Sequence, residues 1–195
     1  MFNLQQFASD CRAALREKSS PAAVREVVAR AVSDPGMVLK TLGEPQRADM
    51  TELYHSPDLT ILNVVWAPYM TILPHNHEMF AVIGIYTGRE DNIFWRRLPD
   101  DSGRVEAAGA KAICTKDAIV LGRDIIHSVT NPIPRLTGAI HVYGGDFFGP
   151  GRSEWDADTL LEQKCDGQKM RRRFEEANEL FSKVAAASTS LHNRS

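Results

Sequence analysis

Hydrophobic positions along this chain change period twice. Leu4, Phe7, Cys11 and Leu15 fall on one helical face. Ser20 followed by Pro21 is a helix N-cap with a first-turn proline, and Val24, Val27, Val28 and Ala31 continue as a second stripe. The "SDPG" stretch, Ser33 to Gly36, predicts the end of that helix, so residues 1–36 read as a helical annex docked on a core. From Leu59 to Phe148 the runs become short, β-branched and aromatic, as in "LTILNVVW", "FAVIGIYTG", "DIIHSVTN" and "LTGAIHVYGG". Gly, Pro, Asp and Asn separate them at short intervals, which predicts an antiparallel sandwich or barrel over residues 50–150. No crossover helix fits inside that block, so a parallel sheet is not expected. Met170, Phe174, Ala177, Leu180, Phe181 and Val184 return to helical spacing, which predicts C-terminal helices over residues 153–188. The whole reads as one domain of 195 residues.

Composition narrows the function classes. The chain is 43% hydrophobic with a net charge of −2, so it can bury a sizeable core and offers no basic field for nucleic acid. No run reaches the length of a membrane span, and the first residues lack the apolar stretch of a signal peptide. Its three cysteines, Cys11, Cys114 and Cys165, are far apart and odd in number. They read as reduced thiols, and the chain as cytoplasmic.

The candidate chemistry lies in "TILPHNHEMFAVIGIYTG". His75 and His77 stand two apart at the lip of an apolar run. Side chains at i and i+2 of a strand share a face, so both imidazoles are expected to point one way, and Asn76 and Glu78 the other. Such a pair can reach one metal ion. His127, in "GRDIIHSVTNP", sits on a later strand that a barrel could bring to the same axis, and His141 follows in "AIHVYGG".

"PHNH", a glycine-containing strand and "GRDIIHSVTN" resemble the two metal motifs of the cupin superfamily. That resemblance implies a mainly β fold, the cupin double-stranded β-helix or small jelly roll, here with N- and C-terminal helices. Most metal cupins add a glutamate ligand four or five residues after the HxH pair, where this chain has Ala81 and Val82. The pattern therefore resembles the three-histidine thiol dioxygenases related to cysteine dioxygenase. "VVW", "YTGREDN" and "HVY" add to that likeness, which spans about Tyr54 to Asp156. It implies Fe(II) as cofactor, with His75, His77 and His127 as its ligands. It also implies His141 and Tyr143 as a relay behind the metal. The family's serine in that relay is Ala139 here, and the strand after the HxH pair has no cysteine to crosslink Tyr143.

Substrate choice in that family rests on an arginine that grips a carboxylate. The cysteine-type position falls near His55, where "LYHSPDL" has no arginine. The bacterial 3-mercaptopropionate type places it after the HVY strand, where "HVYGGDFFGPGR" supplies Arg152. Capping of a following helix, or a pair with Glu154, is the competing reading of Arg152. The resemblance thus implies oxidation of a small thiol carboxylic acid to its sulfinate by O2, with Tyr143 offering a hydrogen bond to the reactants. Three neutral imidazoles would leave the metal its full charge, which favours a thiolate. Trp66, Met70, Phe80 and Ile85 are candidates for the apolar wall. A cupin of other metal chemistry, such as a different dioxygenase or an isomerase, and a non-catalytic ligand-binding cupin are the alternatives.

Overall fold

A computed structural model of the chain describes residues 2–18, 20–149 and 151–192. Three helices lead: α1 (Leu4–Lys18), α2 (Pro21–Val32) and α3 (Pro35–Leu42). Ser20 caps α2, its side chain accepting from the Ala22 N–H. The "SDPG" stretch does end α2, but it also starts α3. Asp34 accepts from the Met37 N–H and Pro35 takes the first turn, so the annex runs six residues past Gly36 to Leu42.

Nine strands follow: β1 (Asp49–Ser56), β2 (Leu59–Trp66), β3 (Thr71–His75), β4 (Ala81–Thr87), β5 (Arg89–Arg97), β6 (Val105–Cys114), β7 (Ala118–Leu121), β8 (Ile126–Thr130) and β9 (Thr137–Tyr143). Every pairing among them is antiparallel, as expected. The pairs nest: β5 with β6, β4 with β7, β3 with β8, β2 with β9. This is one long hairpin rolled up, and contacts of β4 with β9 and β5 with β8 close the roll. Two sheets result, one ordered β1-β2-β9-β4-β7 and the other containing β3-β8-β5-β6, which two further strands extend beyond β3. The architecture is a small jelly roll, a double-stranded β-helix.

The added strands are β10 (Ser153–Trp155) and β11 (Glu162–Lys164), and α4 (Gly167–His192) is the last element among the described residues. Residues 153–165 were expected to be helical; they extend the second sheet instead. Glu154 pairs with His75 across β10 and β3, and Trp155 is buried against Val105 and Ile126. Only α4 is helical in this region.

Strand alternation divides the core in two. Leu62, Val64, Trp66, Ala81, Ile83 and Ile85 point into the roll. Leu59, Ile61, Val82 and Tyr86, on the same strands, point outward against Val24, Val28 and Val32 of α2. β2 and β4 are therefore apolar on both faces, which explains their unbroken hydrophobic runs. Phe174 of α4 packs on Trp66 with ring centroids 5.6 Å apart and covers one mouth of the roll. Asn178 holds α4 in place, accepting from the Ala48 N–H at 2.7 Å and donating to its carbonyl at 2.9 Å. Among the described residues no helix is long and apolar enough to cross a membrane.

Candidate metal centre

The three histidines expected as ligands converge inside the covered mouth. His75 ends β3 and lies opposite His127 of β8. His77 is not on the strand. The chain leaves β3 after His75, where Asn76 bonds Ser153 through both its N–H and its side chain, at 3.1 and 2.7 Å. Glu78 then turns with φ of 56°. The pair meets through this tethered turn and not through strand parity. Asn76 and Glu78 bond one another, but only Glu78 is exposed; Asn76 is buried, its side chain held by Ser153, so the expected shared outward direction does not hold.

The Nε2 atoms of His77 and His75 are 3.2 Å apart, and those of His127 and His77 are 3.4 Å apart. Metal–nitrogen bonds of about 2.1 Å at 90–109° set nitrogen separations of about 3.0–3.4 Å. All the candidate donor atoms lie within 4.8 Å of one another. The tautomers also suit a metal. His75 Nδ1 donates to the Leu73 carbonyl at 2.9 Å, and His127 Nδ1 lies 2.7 Å from Asn92 Oδ1. Each Nε2 is thereby left with its lone pair facing inward. Burial keeps the imidazoles neutral. It lowers the pKa of His75 to about 4, and those of His77 and His127 well below the usual histidine value, with the neighbouring imidazoles adding to the effect. A trio of neutral, convergent nitrogens can hold a divalent transition ion with coordination positions left open.

β9 supplies the groups beside the trio. Ala139, His141 and Tyr143 share its inner face, and His141 Nδ1 is 3.0 Å from the Tyr143 hydroxyl. The Tyr143 ring meets His77 edge-on at 5.1 Å and stacks with Phe147 at 4.3 Å. Burial pushes the phenol's pKa above its ordinary value. Ala139 offers no hydroxyl, and the buried Glu90 carboxylate lies 3.7 Å from His141 Nε2.

A cavity of about 560 Å³ opens from the histidines. Its wall is mostly apolar: Val64, Trp66, Ile72, Val129, Phe147 and Met170. Of the residues expected in that wall, only Trp66 lines it; Met70 and Ile85 lie in the core and Phe80 packs toward the helical annex. Arg152 reaches the cavity with its guanidinium carbon 4.0 Å from the centre of the Phe147 ring. It caps no helix, because β10 follows it. Glu154 is bonded to Lys169 and Gln163 instead. Among the described residues, no carboxylate pairs with Arg152.

Sequence reasoning missed Glu90, Asn92 and Cys165. Cys165 lines the cavity, where burial raises its pKa and Arg152 lowers it. Glu90 and Asn92 alternate on the inner face of β5, both fully buried. Period-two reading of "GREDN" could have paired them, but the stretch looks like an exposed charge run.

No family model matches this chain, and no curated protein matches it. Solved structures do resemble it. An RmlC-like cupin family protein with a double-stranded β-helix fold from Methanocaldococcus jannaschii superposes with a TM-score of 0.44 at 9% identity, covering 53% of this chain and 85% of that one. A protein with a double-stranded β-helix domain from Klebsiella pneumoniae gives 0.43 at 10% identity, covering 63% and 90%. Oxalate decarboxylase from Bacillus subtilis gives 0.41 at 15% identity, covering 51% and 24%. Scores this low say nothing of substrate or reaction.

Proposed function

We propose that the protein is a non-haem iron dioxygenase of a thiol carboxylic acid, converting the thiol to its sulfinate with O2. The observation that carries this reading is the joining of three neutral imidazole nitrogens, a guanidinium and a phenol around one largely apolar cavity. Iron(II) held by His75, His77 and His127 would supply the redox chemistry that places both oxygen atoms on sulfur. The three histidines add no negative charge to the site, so an anionic sulfur is not repelled there. Arg152 is the group for the substrate carboxylate, since a guanidinium binds it through two parallel hydrogen bonds. The Phe147 ring under that guanidinium limits the directions it can take. Trp66, Val129 and Met170 keep water from the reacting end. Tyr143 brings a hydroxyl to the cavity beside His77.

The cavity volume favours a second reading of the substrate. A three-carbon acid fills only a small part of a space of about 560 Å³. A bulkier acid, or another chelating substrate of a different dioxygenase, would use the apolar wall better. Metal analysis of the purified protein, followed by oxygen uptake, tests both. The panel runs from 3-mercaptopropionate and cysteine to thiol acids with larger apolar bodies. Iron with uptake on small thiol acids supports the first reading, and uptake on bulky acids alone supports the second. Iron-loaded protein that consumes no oxygen with any thiol defeats the thiol chemistry.

A further inference from the structure

Glu90 has no solvent exposure, and both its oxygens are engaged. Oε2 accepts from the Trp66 indole N–H at 2.8 Å, and Oε1 accepts from the Asn92 amide at 3.0 Å. Asn92 in turn meets His127 Nδ1 at 2.7 Å. On the other side, His141 Nε2 is buried, lies 3.7 Å from Glu90 Oε2 and has no hydrogen-bond partner. One carboxylate thus stands behind a candidate metal ligand and behind the histidine that touches Tyr143.

Hydrogen-bond chemistry gives this placement a direction. A carboxylate only accepts, so Asn92 must turn its amide NH2 to Glu90 and its oxygen to His127. His127 must then carry its proton on Nδ1 and leave Nε2 bare. For a neutral His141 two arrangements exist. With the proton on Nδ1, a bare Nε2 lone pair would face a buried anion. With the proton on Nε2, that N–H points at the carboxylate and Nδ1 accepts from the Tyr143 hydroxyl. The second avoids a repulsion that low dielectric makes large.

We propose that Glu90 is a positioning residue for both halves of the site, holding His127 with Nε2 bare through Asn92 and holding His141 with its proton on Nε2. Glu90 thereby replaces the partner that Ala139 cannot provide. It also reverses the direction expected of Tyr143. The Tyr143 proton is committed to His141, and the phenol oxygen turns lone pairs to the cavity, where it can accept a hydrogen bond from a ligand.

The inference rests on reading the three histidines as a metal site, and not on thiol oxidation. Its test therefore begins with metal-free protein. Long-range 1H–15N correlation of the histidine rings at pH 8 should show His141 as the Nε2–H tautomer and His127 as the Nδ1–H tautomer. A His141 protonated on Nδ1 overturns the proposal. Glu90→Gln keeps the shape but removes the charge. It should mix the His141 tautomers and weaken cobalt(II) binding by about 10- to 100-fold. A Glu90→Gln protein with unchanged tautomers and unchanged cobalt affinity overturns it too. If that variant does not fold, the wild-type spectrum still decides. The spectrum stands whatever oxygen uptake shows, so failure of the thiol reading and failure of this inference are separable.

Discussion

Arg152 lies over the ring of Phe147, its guanidinium carbon 4.0 Å from the ring centre. Both residues belong to the loop that follows β9, and Tyr143 stacks on the other partner of this pair at 4.3 Å. Arginine, aromatic ring and phenol thus form one continuous layer beside His77.

That layer predicts how Arg152→Ala behaves. Loss of a bidentate carboxylate pair costs about 2–5 kcal/mol when the partner charge stays buried. KM for a thiol acid should rise steeply, with metal content and activity on an uncharged thiol nearly unchanged. Arg152→Lys should recover little, because an ammonium neither stacks nor forks. Steady-state kinetics on matched charged and neutral thiols check this. Equal effects on both substrates would remove Arg152 from carboxylate binding.

His127→Ala should lose metal. Two remaining imidazoles, one of them on a turn outside the strand, make a much weaker site. Metal analysis after purification in excess iron measures it. Full occupancy in the variant would show that His127 is not a ligand.

Tyr143→Phe should keep the metal and slow turnover by about tenfold, the effect of losing one hydrogen bond worth about 1.4 kcal/mol. Loss of metal in this variant would instead make the phenol a ligand.

Stability of the metal-free protein should depend on pH through the buried histidines. Their folded-state pKa values are depressed, to about 4 for His75. The unfolded chain protonates near the ordinary histidine value, so it binds more protons over the interval between. Stability is fully present above about pH 6.5 and falls as pH drops toward 4. Urea midpoints at pH 7.5, 6 and 5 should decline in that order, and His77→Gln should flatten the slope. A slope unchanged by His77→Gln would place the pH dependence elsewhere.

Gly84→Ala tests how the annex is seated. An added Cβ at Gly84 would stand 2.4 Å from Val28 Cγ1 and 3.0 Å from Val32 Cγ1. Overpacking of this kind costs about 1–3 kcal/mol, and each kcal/mol lowers Tm by about 2–4 °C in a chain this long. Thermal melts should show that loss with metal binding intact. An unchanged Tm would mean that α2 does not pack on β4 as described.

Much was legible in the residues alone. Short β-branched and aromatic runs between turn residues pointed to an antiparallel sandwich or barrel, because a hairpin needs only a turn and no crossover helix fits between the runs. The two helical stripes before the strands and the one from Met170 onward were also legible. His75, His77 and His127 stood out through the spacing of the first two and the resemblance of "PHNH" and "GRDIIHSVTN" to paired metal motifs. Tertiary structure decided the rest. Residues 153–165 carry no strand pattern, since a three-residue strand is defined by its neighbour β3 and not by its own side chains. His77 joins its partners through a turn that Asn76 and Ser153 tie down across the chain, a contact no local spacing encodes. Glu90 looked like part of a surface charge run. Only closure of the roll puts its carboxylate between Trp66, Asn92 and His141, because burial is a property of what packs around a residue and not of the residue itself.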